Sequence, residues 1–228
     1  MTTGAALEMA EEIVLQAEVE EKEAVAGQVV SAFRSLGRSC SLSASLGDVS
    51  MRVPGTGAIL MTPLRPFAEE LTVKELLEVT MSGRLAGRRG RPSFSVQIHL
   101  AIYRQRLDVQ AVVHCNAPMA TVLGLCNLSI PPVTVDTVPF TDLPRIPVSV
   151  PLDRRWAEDV AAHFEYGVPG ALLLNEGIVT VGENLRQAVS RTLAVEETAR
   201  ILVTCDLLQR VPASLPPGAV NILRQTPF

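Results

Sequence analysis

Asp108-Val-Gln-Ala-Val-Val-His-Cys-Asn-Ala-Pro-Met-Ala-Thr-Val-Leu123 joins an apolar run to a cluster of polar side chains and then to a proline. Val109 to Val113 is an apolar run that reads as a buried strand, and it stops at His114, Cys115 and Asn116. Pro118 suits a first helical position, so a helix is expected from there. Polar side chains at the carboxyl end of a buried strand in an α/β protein sit where ligands bind. A His, a Cys and an Asn in that place fit three things: a metal site, a nucleophile site, or a hydrogen-bonded strand end.

Composition narrows the field. The chain has 228 residues, 47% of them apolar, enough for one sizeable core, and no shift in composition asks for two. No run of about 18 apolar residues is present, so no membrane association is expected. The start, Met1-Thr-Thr-Gly-Ala, lacks the basic residues and apolar run of a signal peptide, and a soluble cytoplasmic protein is expected. A net charge of −4 with scattered arginines gives no nucleic-acid footprint. Cys40, Cys115, Cys126 and Cys205 are irregularly spaced, which favours reduced thiols. Lys22 and Lys74 are the only lysines, and both lie in charged, helix-like contexts. Arginine cannot form a Schiff base, so imine chemistry is disfavoured.

Outward from the central stretch, strands and helices alternate. Residues 1–36 read as a helix with an acidic face (Glu11, Glu12, Glu18, Glu20, Glu21, Glu23) and an apolar repeat at Val25, Val29, Val30 and Phe33; Gly37 is the expected stop. Val49–Val53 and Ala58–Met61 read as a hairpin around Pro54-Gly-Thr-Gly57. Ser45-Leu-Gly-Asp48 could cradle an anion, and the basic loop Gly87-Arg-Arg-Gly-Arg-Pro92 is either solvated or holds an anionic substrate. Leu77–Met81 and Arg84–Ala86 form a second expected hairpin. Ser93 opens a helix to Arg106 that carries His99, a residue type more often satisfied in a core than used as a ligand. Ile130 to Val135 looks extended, with Asp136 following directly. Ile146–Val150 is a short strand, and Asp153 caps a helix through His163. Ala171–Leu174 and Ile178–Val181 are strands around Asn175-Glu176-Gly177, Asn184 caps a helix to about Arg210, and a proline-broken tail follows.

The order of these pieces resembles the class II aldolase/adducin family over roughly residues 24–210. The family's Gly-Asn-(Val/Ile)-Ser-x-Arg segment is matched by Gly47-Asp48-Val49-Ser50-Met51-Arg52, and its Thr-Pro by Thr62-Pro63. Its Pro-Ser-Ser-Glu-x-x-x-His helix start is matched by Pro92-Ser93-Phe94-Ser95 and, four residues on, His99. Its Ala-Val-Val-His-x-His is matched by Ala111-Val112-Val113-His114-Cys115-Asn116, and its late His-Gly turn by Glu176-Gly177. The resemblance implies an α/β fold, three-layer α/β/α with a central mixed, largely antiparallel sheet. It implies an N-terminal helical extension (1–23), a class II aldolase-like domain (24–212) and a C-terminal tail (213–228). It also implies a homotetramer with sites between subunits.

The departures fall on the working residues. In family members three histidines bind a divalent metal that acts as a Lewis acid. Here His114 remains, with Asn116 and Glu176 at the other two positions. Zinc is therefore not expected, and the cofactor is either none or a weakly bound divalent metal held by His114 and Glu176. The family's acid/base glutamate is Ser95, whose hydroxyl needs an activator, and the aldolase tyrosine aligns approximately with Val135. Asp48 and Phe94 stand in the family's phosphate cradle, so a non-phosphorylated substrate is expected.

The reading that follows is a small-molecule enzyme acting next to a carbonyl, as a C–C lyase, a decarboxylase, or a proton-transfer isomerase or cyclase. The arginine-for-lysine bias hints at a GC-rich genome and specialised metabolism. His114, Glu176, Asn116 and Ser95 are the catalytic candidates. Gly47, Asp48, Ser50, Thr62, Ser93, Phe94, Cys115 and Asp136 are the substrate-binding candidates. A non-catalytic adducin-like assembly module is the rival, and in it Phe94, Phe140 and Met119 could fill the pocket.

Overall fold

The computed structural model describes residues 3–40, 47–64, 66–87 and 90–225, with side chains from residue 12 onward. The helices are α1 (Thr3–Ser39), α2 (Val96–Gln105), α3 (Pro118–Leu125), α4 (Arg154–Ala162), α5 (Leu185–Leu207) and α6 (Pro217–Gln225). The strands are β1 (Gly47–Val53), β2 (Ala58–Met61), β3 (Leu77–Thr80), β4 (Ala111–Cys115), β5 (Arg145–Pro147), β6 (Gly170–Leu174) and β7 (Gly177–Gly182). All seven lie in one sheet, ordered β3-β2-β1-β4-β7-β6-β5, and only β5 runs parallel to its neighbour. The expected α/β class and largely antiparallel mixed sheet are what the chain forms.

Two apolar layers sandwich this sheet. On one face α1, α3 and α5 bury Val25, Val29, Phe33, Leu123 and Val195 against Val49, Val113 and Ile178. On the other face α2 and α4 bury Ile98, Ile102, Trp156 and Val160 against Ile59, Val112 and Val179. β4 is the central strand and is buried along its whole length, as an apolar run covered on both faces must be.

Caps fix the helices that matter for the site. Pro118 starts α3, and the buried Glu196 of α5 accepts hydrogen bonds from the N–H groups of Met119 and Ala120, at 3.1 and 2.8 Å. This satisfies donors that an uncapped first turn leaves open. Asp153 caps α4 and Asn184 caps α5, as their positions predicted.

Several boundaries differ from expectation. α1 runs through Gly37 to Ser39, and side-chain packing starts only at Val25, with Ile13, Val14 and Leu15 exposed. β4 extends two residues past Val113, to Cys115. The segment after Ile130 holds no strand; Val135–Phe140 is instead a 3-10 helix. The tail contains α6, which packs on that 3-10 helix. Ser45 and Leu46 of the expected anion cradle, and Arg88 and Arg89 of the basic loop, lie outside the described residues.

Candidate active site

One edge of the sheet gathers the chemistry. β1 begins at Gly47, β4 ends at Cys115 and β7 begins at Gly177, with Gly47 opposite Cys115 and Ile178 opposite Cys115 on the other side. Both glycines are required. Gly47 and Gly177 each have φ of +103°, and a Cβ would meet His114 O at 2.1 Å from the first and Cys115 O at 2.3 Å from the second. The close approach brings both turns against the end of β4.

The pleat decides which side chains meet. Asp48 lies directly across from His114, so both point to the α2 side. Ser50 and Arg52 follow on that side at period two. α2 presents Ser95, His99 and Tyr103 to them at a spacing of four, one helical face. Ser95 Oγ donates to Asp48 Oδ2. His99 Nε2 lies 2.7 Å from Asp48 Oδ1, off the line of the ring N–H. His99 Nδ1 is 2.7 Å from Ser50 Oγ, which is 2.9 Å from the Tyr103 hydroxyl. The Tyr103 hydroxyl donates to Ser50 O at 3.0 Å, and the Arg52 guanidinium lies 4.7 Å from the ring centroid. His99 and Tyr103 were not among the expected site residues. The signal for them was the match between Asp-x-Ser-x-Arg and Ser-x-x-x-His-x-x-x-Tyr.

Charge is concentrated at Asp48, which is 1% exposed. Burial pushes its pKa up, but His99 and His114 together outweigh that and hold it well below the usual carboxylate range. His114 is the mirror case: burial pushes it down, and Asp48, with help from Glu176, raises it above the ordinary histidine value. His114 Nδ1 stands 3.8 Å from Asp48 Oδ2, a charge pair too long for a hydrogen bond. His114 Nε2 is 3.2 Å from the main-chain oxygen of Glu176. Glu176 is half-buried in the turn between β6 and β7, and Asn116 is half-buried just past β4. Ser95, whose hydroxyl was expected to need an activator, has a carboxylate against it.

Other expected residues lie elsewhere. Cys115 points the opposite way from His114, into the α1 layer, because the strand continues and alternates through both. Its thiol lies in the same buried cluster as Cys40 rather than being offered to the site. Ser50 and Thr62 are fully buried, and the Thr62 hydroxyl accepts from Val49 N–H at 3.2 Å, tying β2 to β1. Asp136 is exposed on a different cleft of about 900 Å³, walled by the 3-10 helix, the start of α5 and α6. Phe94 was expected to fill the phosphate cradle and instead is 64% exposed. Phe140 and Met119 pack into the α1 layer, and none of the three plugs the His114 site. Ser93 is half-buried beside Ser95.

The donors present do not suit a divalent metal. A carbonyl facing His114 Nε2 requires the proton on that nitrogen, and Nδ1 is buried and turned to Asp48. Asn116 contributes a neutral amide. Among the described residues no group of three His, Cys, Asp or Glu side chains is placed to hold an ion.

No helix among the described residues is long and apolar enough to cross a membrane. The model of the class II aldolase and adducin N-terminal domain matches residues 27–203. The 3-oxo-tetronate 4-phosphate decarboxylase of Escherichia coli O6:H1 is 33% identical over 165 residues, 69% of this chain and 76% of its own. The methylthioribulose-1-phosphate dehydratase of Sorangium cellulosum is 28% identical over 75% of this chain and 82% of its own. Among solved structures, YgbL from Escherichia coli superposes with a TM-score of 0.80 at 27% identity, covering 89% of this chain and 99% of that one. An L-fuculose 1-phosphate aldolase shares the fold with a TM-score of 0.78 at 21% identity, covering 88% and 94%. A match to that domain model over most of its length makes the chain a member of the class II aldolase and adducin family.

Proposed function

We propose that the chain is a lyase acting next to a carbonyl, and within that class a decarboxylase of a small non-phosphorylated 3-oxo acid that works without zinc. The observation that carries the reading is the convergence of Asp48, Ser95, His114 and the Glu176 turn at one end of β4. Curated relatives named as 3-oxo-tetronate 4-phosphate decarboxylases support the reaction class.

In a 3-oxo acid the bond to the carboxylate breaks and its electron pair moves onto the ketone oxygen, giving an enolate and CO2. The enolate must be stabilised as it forms, and a fixed N–H donor in a desolvated site does this better than water. His114 takes that role through Nδ1, which stands 3.8 Å from Asp48 with no hydrogen-bond partner of its own among the described residues, and the raised pKa favours a proton there. The enolate carbon then takes one proton, for which Glu176 is the acid. Ser95, Asn116 and Ser93 orient the carboxylate to be lost. Phe94 and the Gly47–Asp48 turn border the substrate. The case against a phosphate now rests on the Asp48 carboxylate, since Phe94 stands clear of the cradle.

CO2 release from a panel of four- to six-carbon 3-oxo acids, each with and without a terminal phosphate, tests the reading. Turnover of unphosphorylated acids, falling about 10²-fold in Glu176→Gln, is expected. Turnover confined to phosphorylated acids would overturn the substrate choice. No CO2 from any acid would return the chain to the adducin-like class.

A further inference from the structure

We propose that His99 is a positioning residue: with its proton on Nε2 and its Nδ1 accepting from Ser50, it fixes the Asp48 carboxylate between Ser95 and His114. This rests on the reading of Ser95 and His114 as working groups, and adds how they are held.

His99 is fully buried and touches polar groups on both sides. Nε2 faces Asp48 Oδ1 at 2.7 Å and Nδ1 faces Ser50 Oγ at 2.7 Å. A carboxylate is acceptor only, so the nitrogen facing it carries the proton. A hydroxyl can donate, and Ser50 can give its proton to Nδ1 when the Tyr103 hydroxyl, 2.9 Å from Ser50 Oγ and 3.0 Å from Ser50 O, shares its own proton between those two oxygens. Tyr103 is held in turn by its burial and by Arg52 over its ring. The chain Tyr103–Ser50–His99 thus selects one tautomer, as the outer partner of a functional histidine does. Asp48 has two oxygens and three neighbours. With Oδ1 facing His99 Nε2 at 2.7 Å, Oδ2 is the oxygen that receives Ser95 Oγ and faces His114 Nδ1. Without His99 the carboxylate could rotate, and both contacts would be lost together.

The test uses the full chain and its histidine signals. The sequence has three histidines, so ¹⁵N-labelled imidazoles can be assigned by single replacements. In the wild type His99 should show the Nε2–H tautomer. Ser50→Ala removes the acceptor's partner without touching Asp48 or His114, and should mix the His99 tautomers and also shift the His114 signals. The same variant should lower kcat for CO2 release between about ten- and a hundred-fold, with KM little changed, as expected when a reacting group is misplaced. His99→Gln keeps an N–H donor and a carbonyl acceptor and should recover much of what His99→Leu loses. A wild-type His99 protonated on Nδ1, or His114 signals unmoved by Ser50→Ala, would overturn the proposal. An inactive wild type with the predicted tautomer would instead count against the decarboxylase reading alone.

Discussion

Asp48 is a buried carboxylate with two imidazoles against it, and their balance sets how the protein answers to pH. Its folded pKa is depressed, so its contribution to stability is present above the unfolded value of about 3.9 and is lost as pH falls through the folded value. The folded pKa of His114 is raised, so its contribution is complete below about 6.5 and is lost as pH rises through the folded value. Between about pH 4 and 6.5 both are in force. Asp48→Asn keeps the shape and removes the charge that shifts His114. Chemical denaturation across pH should show the wild-type midpoint falling on both sides of that window and the variant's curve much flatter. Parallel curves would show that Asp48 is not paired in the folded protein. The same pairing bears on metal content. With its Nε2 proton facing a carbonyl and a raised pKa that favours a proton on Nδ1 beside Asp48, His114 is a poor metal ligand, so elemental analysis of purified protein should find zinc well below one per chain. One tightly held zinc per chain would contradict this.

Elements, more than single residues, were legible in the sequence. The central strand, the helix from Pro118, the hairpin at Gly55 and the caps at Asp153 and Asn184 follow from periodicity and cap chemistry, and all are present. The site was half legible. His114, Ser95 and the Glu176 turn came from motif order, and they do converge. Cys115 was misplaced because β4 was expected to end at Val113; two more residues of strand send His114 and Cys115 to opposite faces. Asp136 was misplaced because Ile130–Val135 reads as extended, whereas the chain turns into a 3-10 helix that faces another cleft. His99 was visible, but its use needs β1 beneath α2, a long-range fact. The Glu196 cap on α3 is long-range in the same way. Glu196→Ala leaves two first-turn donors without partners, and should cost about 1–3 kcal/mol. For a chain of this size that is a melting temperature lower by about 2–12 °C. An unchanged melting temperature would mean the α3 start is satisfied without Glu196.

At the scale of the molecule the question is what covers the apolar groups left at the surface. Phe94 stands exposed at the mouth of the site, Val135 on the 3-10 helix, Leu125 at the end of α3, and Leu207 and Leu208 at the end of α5. Single exposed apolar residues are ordinary in a monomer. Their placement at element ends and beside the site argues for something more specific. The site itself lies at the end of β4, with His114, Ser95 and Asp48 each at most 5% exposed, while the cleft of about 900 Å³ lies elsewhere. A second copy placed against Phe94 would wall the site and bury an aromatic, which is the residue type that interfaces favour. The family resemblance adds the expected symmetry, a homotetramer with sites between subunits. Light scattering at micromolar concentration should therefore give the mass of four chains. Phe94→Ser, which removes an aromatic without touching the core, should weaken that assembly and raise KM more than it lowers Tm. A monomeric wild type would remove the boundary site altogether, and a tetramer indifferent to Phe94→Ser would put the boundary on another face.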